Sequence, residues 1–369
     1  MKKTDRYHFN DIKSYNADVN IAMLDRSGGK TFEMKLMIMA DYLEKKIQSA
    51  FARRTKEMLD EVVSTFLFDV TEVYSNRKDN LVELEKETEK FFKIIGDRIF
   101  NFKIIGHRLY YGQDVVCFFV PLNAAENVKG LSSKRCIRLY VDEMCPESGK
   151  YLKDEWKKFS SIVSTMLRDK ENCKIYMGSN ALSFVNPYFA HFNIKAPIDN
   201  QRFVKSIIRF IDVETNQPYR LVVVVDFGAL SDKFKTKARK SLSGMIAQLS
   251  DYGQSSLENK FILDDHTNVY SRQLIKCKLI PAYDLTFNKI RMGVYDSNQN
   301  FIFVGNPVPV KKYNYIFEDF EEVIKQDRSI HITKKHVLCQ NLLKNYVNGL
   351  IIFNDINVKQ NFIEFLKSI

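Results

Sequence analysis

The segment Leu24-Asp25-Arg26-Ser27-Gly28-Gly29-Lys30-Thr31 stands between an apolar run, residues 20–24, and a stretch of helical periodicity, residues 31–47. Strand, glycine-rich turn and helix in that order make a phosphate-binding loop. The glycines let successive backbone N–H groups turn toward phosphate oxygens, and the helix presents its positive end to them. Ser27, Gly28, Gly29, Lys30 and Thr31 are therefore candidate ATP ligands, with Lys30 reaching the β- and γ-phosphates and Thr31 holding Mg²⁺. The strict form of this loop opens with glycine, where this chain has Leu24.

Around this loop, short β-rich runs alternate with amphipathic stretches, which predicts an α/β fold with a parallel sheet covered by helices. Strands are expected at residues 20–24, 49–52, 117–120, 137–141, 174–177 and 221–225, and helices at 31–47, 56–74, 81–92 and 153–167. After Phe227 the character changes, because residues 231–240 hold five basic residues against one acid. Beyond Leu257 the pattern is a meander, with strands expected at 273–282, 289–295 and 300–304, closed by helices at 336–346 and 358–367. The expected domains are 1–229, 230–257 and 258–369.

The run Leu139-Tyr140-Val141-Asp142-Glu143 ends an apolar strand in two acids. Asp142 would share the metal with Thr31, and Glu143 would orient and deprotonate the attacking water. A third strand ends in Gly178-Ser179-Asn180, at the edge where open α/β sheets bind ligands, so Asn180 or Ser179 could sense the γ-phosphate. Two matching segments in the right order point to a nucleotide hydrolase.

Composition bounds the partners. Of 369 residues 45% are hydrophobic, enough for sizeable cores, and the net charge of +11 favours a polyanionic partner. There is no apolar run of about eighteen residues, and the first ten residues lack the apolar core of a signal peptide. Hence no membrane partner is expected, and the chain should act in the cytosol where it is made. The six cysteines contain no CxxC pair and are expected to be reduced, without a zinc site.

The stretch Gly178-Ser-Asn-Ala-Leu-Ser-Phe-Val-Asn-Pro-Tyr-Phe189 closely resembles podovirus DNA encapsidation proteins, the genome-packaging ATPases of small tailed phages. Arg53-Arg54-Thr-Lys56, Pro121-Leu122, Val141-Asp-Glu143, residues 252–261 and Asn348-Gly349 are similar to the same family, in the same order. The resemblance implies a terminase-like P-loop ATPase domain of the additional-strand, catalytic-glutamate class, then a small linker domain and a vestigial, RNase H-like nuclease domain that is not expected to cut. It implies a pentameric ring attached to the portal (connector) of the prohead in the host cytoplasm, with a packaging RNA as a further candidate partner, and absent from the mature virion. Arg26 matches a basic residue of such loops, and Arg168 matches an arginine finger supplied to a neighbouring subunit. Arg54 and Lys56 match a basic cluster near the nucleotide.

Translocation of double-stranded DNA needs grip without sequence choice, hence lysines and arginines on phosphates. Lys129, which matches a family lysine and could face either DNA or a neighbouring subunit, and Lys233, Lys237 and Lys240, which share one face if helical, are the candidates. Two other readings stay open from sequence: a helicase or repair ATPase built on the same core, and a non-enzymatic capsid or nucleic-acid-binding module.

Overall fold

A computed structural model describes residues 7–369 apart from 25–28, 80–83, 85, 129–134, 147–149, 181–185, 195–200, 213–214, 229–239, 241–244, 246–267, 271, 273–274, 288–289, 308–312, 318–324 and 327–328. The chain divides into two compact units, Met1–Ser183 with Phe192–Leu263, and Phe184–His191 with Asp264–Ile369. The basic string at 231–240 lies outside the described residues except for Lys240, which is exposed.

Unit 1 is a nine-stranded sheet in the order β3-β4-β5-β2-β6-β7-β1-β9-β8. Its strands are β1 (Val19–Leu24), β2 (Gln48–Arg53), β3 (Phe102–Ile105), β4 (Arg108–Tyr111), β5 (Asp114–Pro121), β6 (Cys136–Asp142), β7 (Lys174–Asn180), β8 (Phe203–Ile211) and β9 (Pro218–Asp226). The six from β5 to β9 across the middle run parallel, while β3, β4 and β8 pair antiparallel at the edges. β1 is buried along its whole length, which is why it reads as an unbroken apolar run rather than an alternating one. β7 lies between β1 and β6, an additional strand between the loop-bearing strand and the strand ending in Asp142.

The helices follow from local signals. α1 is the short Asn10–Lys13, α2 spans Lys30–Lys45, α3 Lys56–Arg77, α4 Lys86–Ile95 and α5 Glu155–Met166. Thr55 caps α3 by accepting from the Met58 N–H at 3.3 Å. One apolar layer unites α2, α3 and α4 with Phe51, Phe119, Tyr140, Tyr176, Val222 and Val224 of the strands. The helix expected at 81–92 begins only at Lys86 among the described residues.

Unit 2 contains α6 (Pro187–His191) and a sheet of β10 (Leu279–Phe287), β11 (Ile290–Ser297), β12 (Ile302–Gly305), β13 (Asn314–Phe317), β14 (Lys325–Gln326), β15 (Ser329–Ile332) and β16 (Ile351–Phe353). Its order is β14-β15-β13-β10-β11-β12-β16. Helices α7 (Val337–Val347) and α8 (Ile356–Ser368) supply Cys339, Leu342, Phe362 and Phe365 to one core with Leu285, Val294 and Phe353. The expected meander is present as β10 to β12, but its first strand lies later than residues 273–282, and the sequence reading missed the parallel β13 and β15. Asp284 is buried inside β10, where Arg291 Nε donates to it at 2.7 Å.

All six cysteines are unpaired. Burial pushes the Cys136 thiol up to about 12 and the Cys145 thiol up to about 11, so these side chains act as small apolar core groups. No helix among the described residues is long and apolar enough to cross a membrane.

Candidate active site

Strand register alone gathers the site. Asp142 is level with Gly178, and Leu24 with Asn180, so the carboxyl ends of β6, β7 and β1 finish in one row. Gly29 adopts the left-handed conformation (φ 83°) immediately before α2, and its carbonyl accepts the Glu33 N–H at 2.9 Å. The turn brings Lys30 and Thr31 over that row. A Cβ at Gly178 would lie 2.9 Å from Met34 Cε and 3.6 Å from Lys30 Cβ, so glycine there lets α2 approach β7 closely.

Lys30 is buried, and its Nζ lies 3.2 Å from the Leu24 carbonyl and 3.4 Å from Asn180 Oδ1. Thr31 Oγ1 donates to the Asp142 carboxylate at 2.9 Å. Asp142 is itself 1% exposed, so its charge needs partners. Arg53 supplies them, through Nε at 3.0 Å and Nη2 at 2.7 Å to Asp142 Oδ2. A hydroxyl and a carboxylate in contact at the head of a helix are oxygen donors of the kind a magnesium ion takes. Thr31 and Asp142 therefore fit that ion.

Glu143 follows in the left-handed region (φ 55°), at a cost of about 1–2 kcal/mol for a residue with a Cβ. The chain beyond it is tied back to β7: the Met144 N–H donates to the Gly178 carbonyl at 3.1 Å, and the Cys145 N–H to Ser179 Oγ at 3.0 Å. Held on both sides, Glu143 keeps its side chain 42% exposed, with Oε1 3.3 Å from Arg53 Nη2. It is an accessible carboxylate on a fixed stem, beside a buried one. Ser179 is spent on this tie, so Asn180 is the polar group of β7 that faces Lys30.

Arg54 is expected at this row, but its neighbour Arg53 stands there in its place. Arg54 turns away from this row and into a buried pair with Glu155, donating from Nη2 at 2.9 Å and from Nε at 3.1 Å, with a further bond to the Lys150 carbonyl. Arg53 is the one that meets the two acids. Alternation explains the difference, because successive strand residues point to opposite faces and Ala52 is level with Val141, which brings Arg53 level with Asp142. That register was the missing signal: a basic residue at a strand end adjoining the acidic strand end. Lys56 opens α3 and is exposed. Lys35, buried one turn beyond Thr31, pairs with Asp69; burial pulls its amine down and Asp69 opposes the shift.

Arg168 is exposed beyond α5, and its Nε donates to the Ser164 carbonyl at 3.2 Å. This turn adjoins the amino ends of β6 and β7, since Lys170 Nζ donates to the Cys136 carbonyl at 3.1 Å. Strands of this length run roughly 20 Å, so Arg168 and Asp142 stand at opposite edges of one sheet. Arg26, Ser27, Gly28, Lys129, Lys233 and Lys237 lie outside the described residues.

The family model of the podovirus DNA encapsidation protein (Gp16) matches residues 82–368. The chain belongs to the podovirus DNA encapsidation family. The DNA packaging protein of Bacillus phage PZA is 23% identical over 365 residues, covering 96% of this chain and 95% of the relative. That of Bacillus phage phi29 has the same identity and coverage. Among solved structures, a chain of the bacteriophage Phi-29 viral genome packaging motor assembly superposes with a TM-score of 0.62 at 21% identity, covering 99% of both chains. The Phi-28 gp11 DNA packaging motor gives 0.63 at 12% identity, covering 99% of this chain and 98% of that one. As an encapsidation-family protein, the chain serves phage DNA packaging.

Proposed function

We propose that this encapsidation-family chain is an ATP hydrolase that drives double-stranded DNA into the prohead as a ring of identical subunits. The observation that carries the reading is the convergence of Lys30, Thr31, Asp142, Glu143 and Asn180 on the carboxyl row of three adjacent parallel strands. Lys30 neutralises phosphate charge at the head of α2, where the backbone N–H groups also point. Glu143, accessible and fixed by its neighbours, accepts the proton of the water that attacks the γ-phosphate. Asn180 orients Lys30 and contacts the phosphate. Thr31 and Asp142 would hold Mg²⁺, which when bound neutralises phosphate charge. Arg168, at the far edge of its own sheet, serves the site of a neighbour.

The boundaries 1–229, 230–257 and 258–369 are proposed as ATPase, linker and carboxyl domains. The core order β12-β11-β10-β13-β15, three antiparallel strands followed by two parallel ones, supports an RNase H-like carboxyl domain. With Asp284 engaged by Arg291, that domain reads as a docking module for the portal or a packaging RNA rather than a nuclease. The deciding experiment supplies purified chain, proheads, DNA and ATP, and measures DNA protected from added nuclease. Protection that needs both ATP and proheads is the expected result. ATP-dependent strand unwinding without protection would instead make the protein a helicase, and no ATP hydrolysis would make it a binding module.

A further inference from the structure

β8 and β9 extend past the sheet that carries them. β1 begins at Val19, level with Val223, so among the described residues β8 is the only strand paired with 218–221, and this two-stranded ribbon projects roughly 13 Å beyond the amino edge. On one face Arg209 and Arg220 stand directly opposite each other, with Ile207 and Ile211 flanking them. Neither guanidinium has a hydrogen bond or ion pair among the described residues. Like charges directly opposite on paired strands destabilise the pair unless an anionic group comes between them. Ile211 is 66% exposed, and Tyr219, stacked on Phe210 at 5.1 Å on the other face, is 55% exposed. The one described acid of the tip, Asp212, accepts from the Thr215 N–H within the turn.

Arginine, tyrosine and isoleucine exposed together are the composition of a protein contact. A phosphate backbone would take the guanidinium groups but leave the isoleucines that flank them with nothing to bury against. The chain itself carries the complementary surface. Glu57, Glu61, Ser64, Phe68 and Glu72 recur at helical spacing along the outer face of α3, and Phe68 at its middle is 64% exposed. Glu61 and Glu72 hold no ion pair among the described residues.

We propose that the β8–β9 ribbon is a contact between neighbouring copies of this chain, its Arg209–Arg220 pair and Ile207 and Ile211 seated on the acidic stripe and Phe68 of α3. Two different surfaces meet, so the contact is heterologous and propagates into a ring. It rests on the ring reading above and has the polarity that reading needs. The ribbon and Arg168 leave from the amino edge, whereas α3 starts at the carboxyl end of β2, beside the neighbour's Lys30 and Asp142.

The test is the concentration dependence of self-association of the full chain with Mg²⁺ and a non-hydrolysable ATP analogue, read by sedimentation velocity. Arg209→Glu with Arg220→Glu is expected to raise the concentration needed by about tenfold or more, and adding Glu61→Lys with Glu72→Lys is expected to restore much of it. All four side chains are exposed, and unchanged circular dichroism and melting confirm intact folds. Reversal variants that associate like the unaltered chain overturn the ribbon contact while leaving the ring reading standing. An unaltered chain that stays monomeric throughout overturns both. Loss of duplex DNA affinity with association unchanged makes the ribbon a nucleic-acid surface and also overturns the contact.

Discussion

Arg53 Nη2 lies 2.7 Å from Asp142 Oδ2 and 3.3 Å from Glu143 Oε1, so one guanidinium on β2 holds both acids that end β6. Asp142 is buried, where a charged group needs a partner, and Glu143 is exposed and gains a fixed position from the same guanidinium. Arg53→Ala is expected to lower ATP turnover by about 10–100-fold through loss of this positioning. Without nucleotide it should also destabilise unit 1 by up to about 3–5 kcal/mol, because a buried carboxylate loses its partner. Steady-state hydrolysis and urea unfolding measure the two effects; unchanged turnover would remove Arg53 from the site.

Lys30 and Glu143 separate binding from chemistry. Lys30→Ala is expected to abolish productive ATP binding, because the buried ammonium is the charge nearest Asn180 and the head of α2. Glu143→Gln should bind ATP nearly as well as the unaltered chain but hydrolyse it at least about a hundredfold more slowly, since the amide cannot accept the proton. Binding is read with a fluorescent ATP analogue and hydrolysis by phosphate release. Near-normal turnover in Glu143→Gln would dismiss it as the base.

The Arg54–Glu155 pair predicts a different phenotype from its neighbour. Both side chains are buried, so Arg54→Ala or Glu155→Ala alone is expected to cost about 3–5 kcal/mol of stability. Replacing both by apolar residues of similar volume should recover much of that loss. The measurement is urea unfolding of the three variants. An Arg54→Ala chain that unfolds normally but binds ATP poorly would return Arg54 to the nucleotide.

Grip on DNA without sequence choice predicts a steep salt dependence. The net charge of +11 and the five basic residues at 231–240 motivate it. Raising salt from about 50 to 200 mM should weaken duplex binding by orders of magnitude if several phosphates are contacted. Affinity measured by fluorescence anisotropy that stays flat over this range would contradict phosphate grip.

The cluster that forms the candidate site was legible because its parts are local: Lys30 and Thr31 follow a buried strand, and Asp142 ends another with Glu143 next to it. All six predicted strands of unit 1 coincide with β1, β2, β5, β6, β7 and β9. What escaped depends on register or on long-range pairing. Arg53 and Arg54 are adjacent in sequence, and only the Ala52–Val141 register decides which meets Asp142. β3 and β8 are edge strands, and they and the short β4 carry exposed polar positions, so all three lack the apolar run that marks a buried strand. β13 and β15 are four residues each, too short to show a period before pairing with β10 defines them.

Arg168 supplies the last prediction, and its place on the amino edge of β7 gives the prediction its form. Roughly 20 Å of strand separates that edge from Asp142, so the side chain cannot complete its own chain's site. If it completes a neighbour's, Arg168→Ala should bind ATP almost normally and hydrolyse it poorly, because the missing charge acts in the transition state. Glu143→Gln fails for the opposite reason, lacking its own base while still offering Arg168. In a mixed ring, an Arg168→Ala subunit keeps Glu143 and receives the arginine of an adjacent Glu143→Gln subunit, which makes one competent site from two defective chains. Two defects confined to their own chains cannot do this. ATPase rate is measured against mixing ratio, under conditions where rings assemble and exchange subunits. The expected curve rises above the weighted mean of the pure variants and peaks at intermediate ratios. A curve that never exceeds that mean, with assembly confirmed, returns Arg168 to the solvated surface.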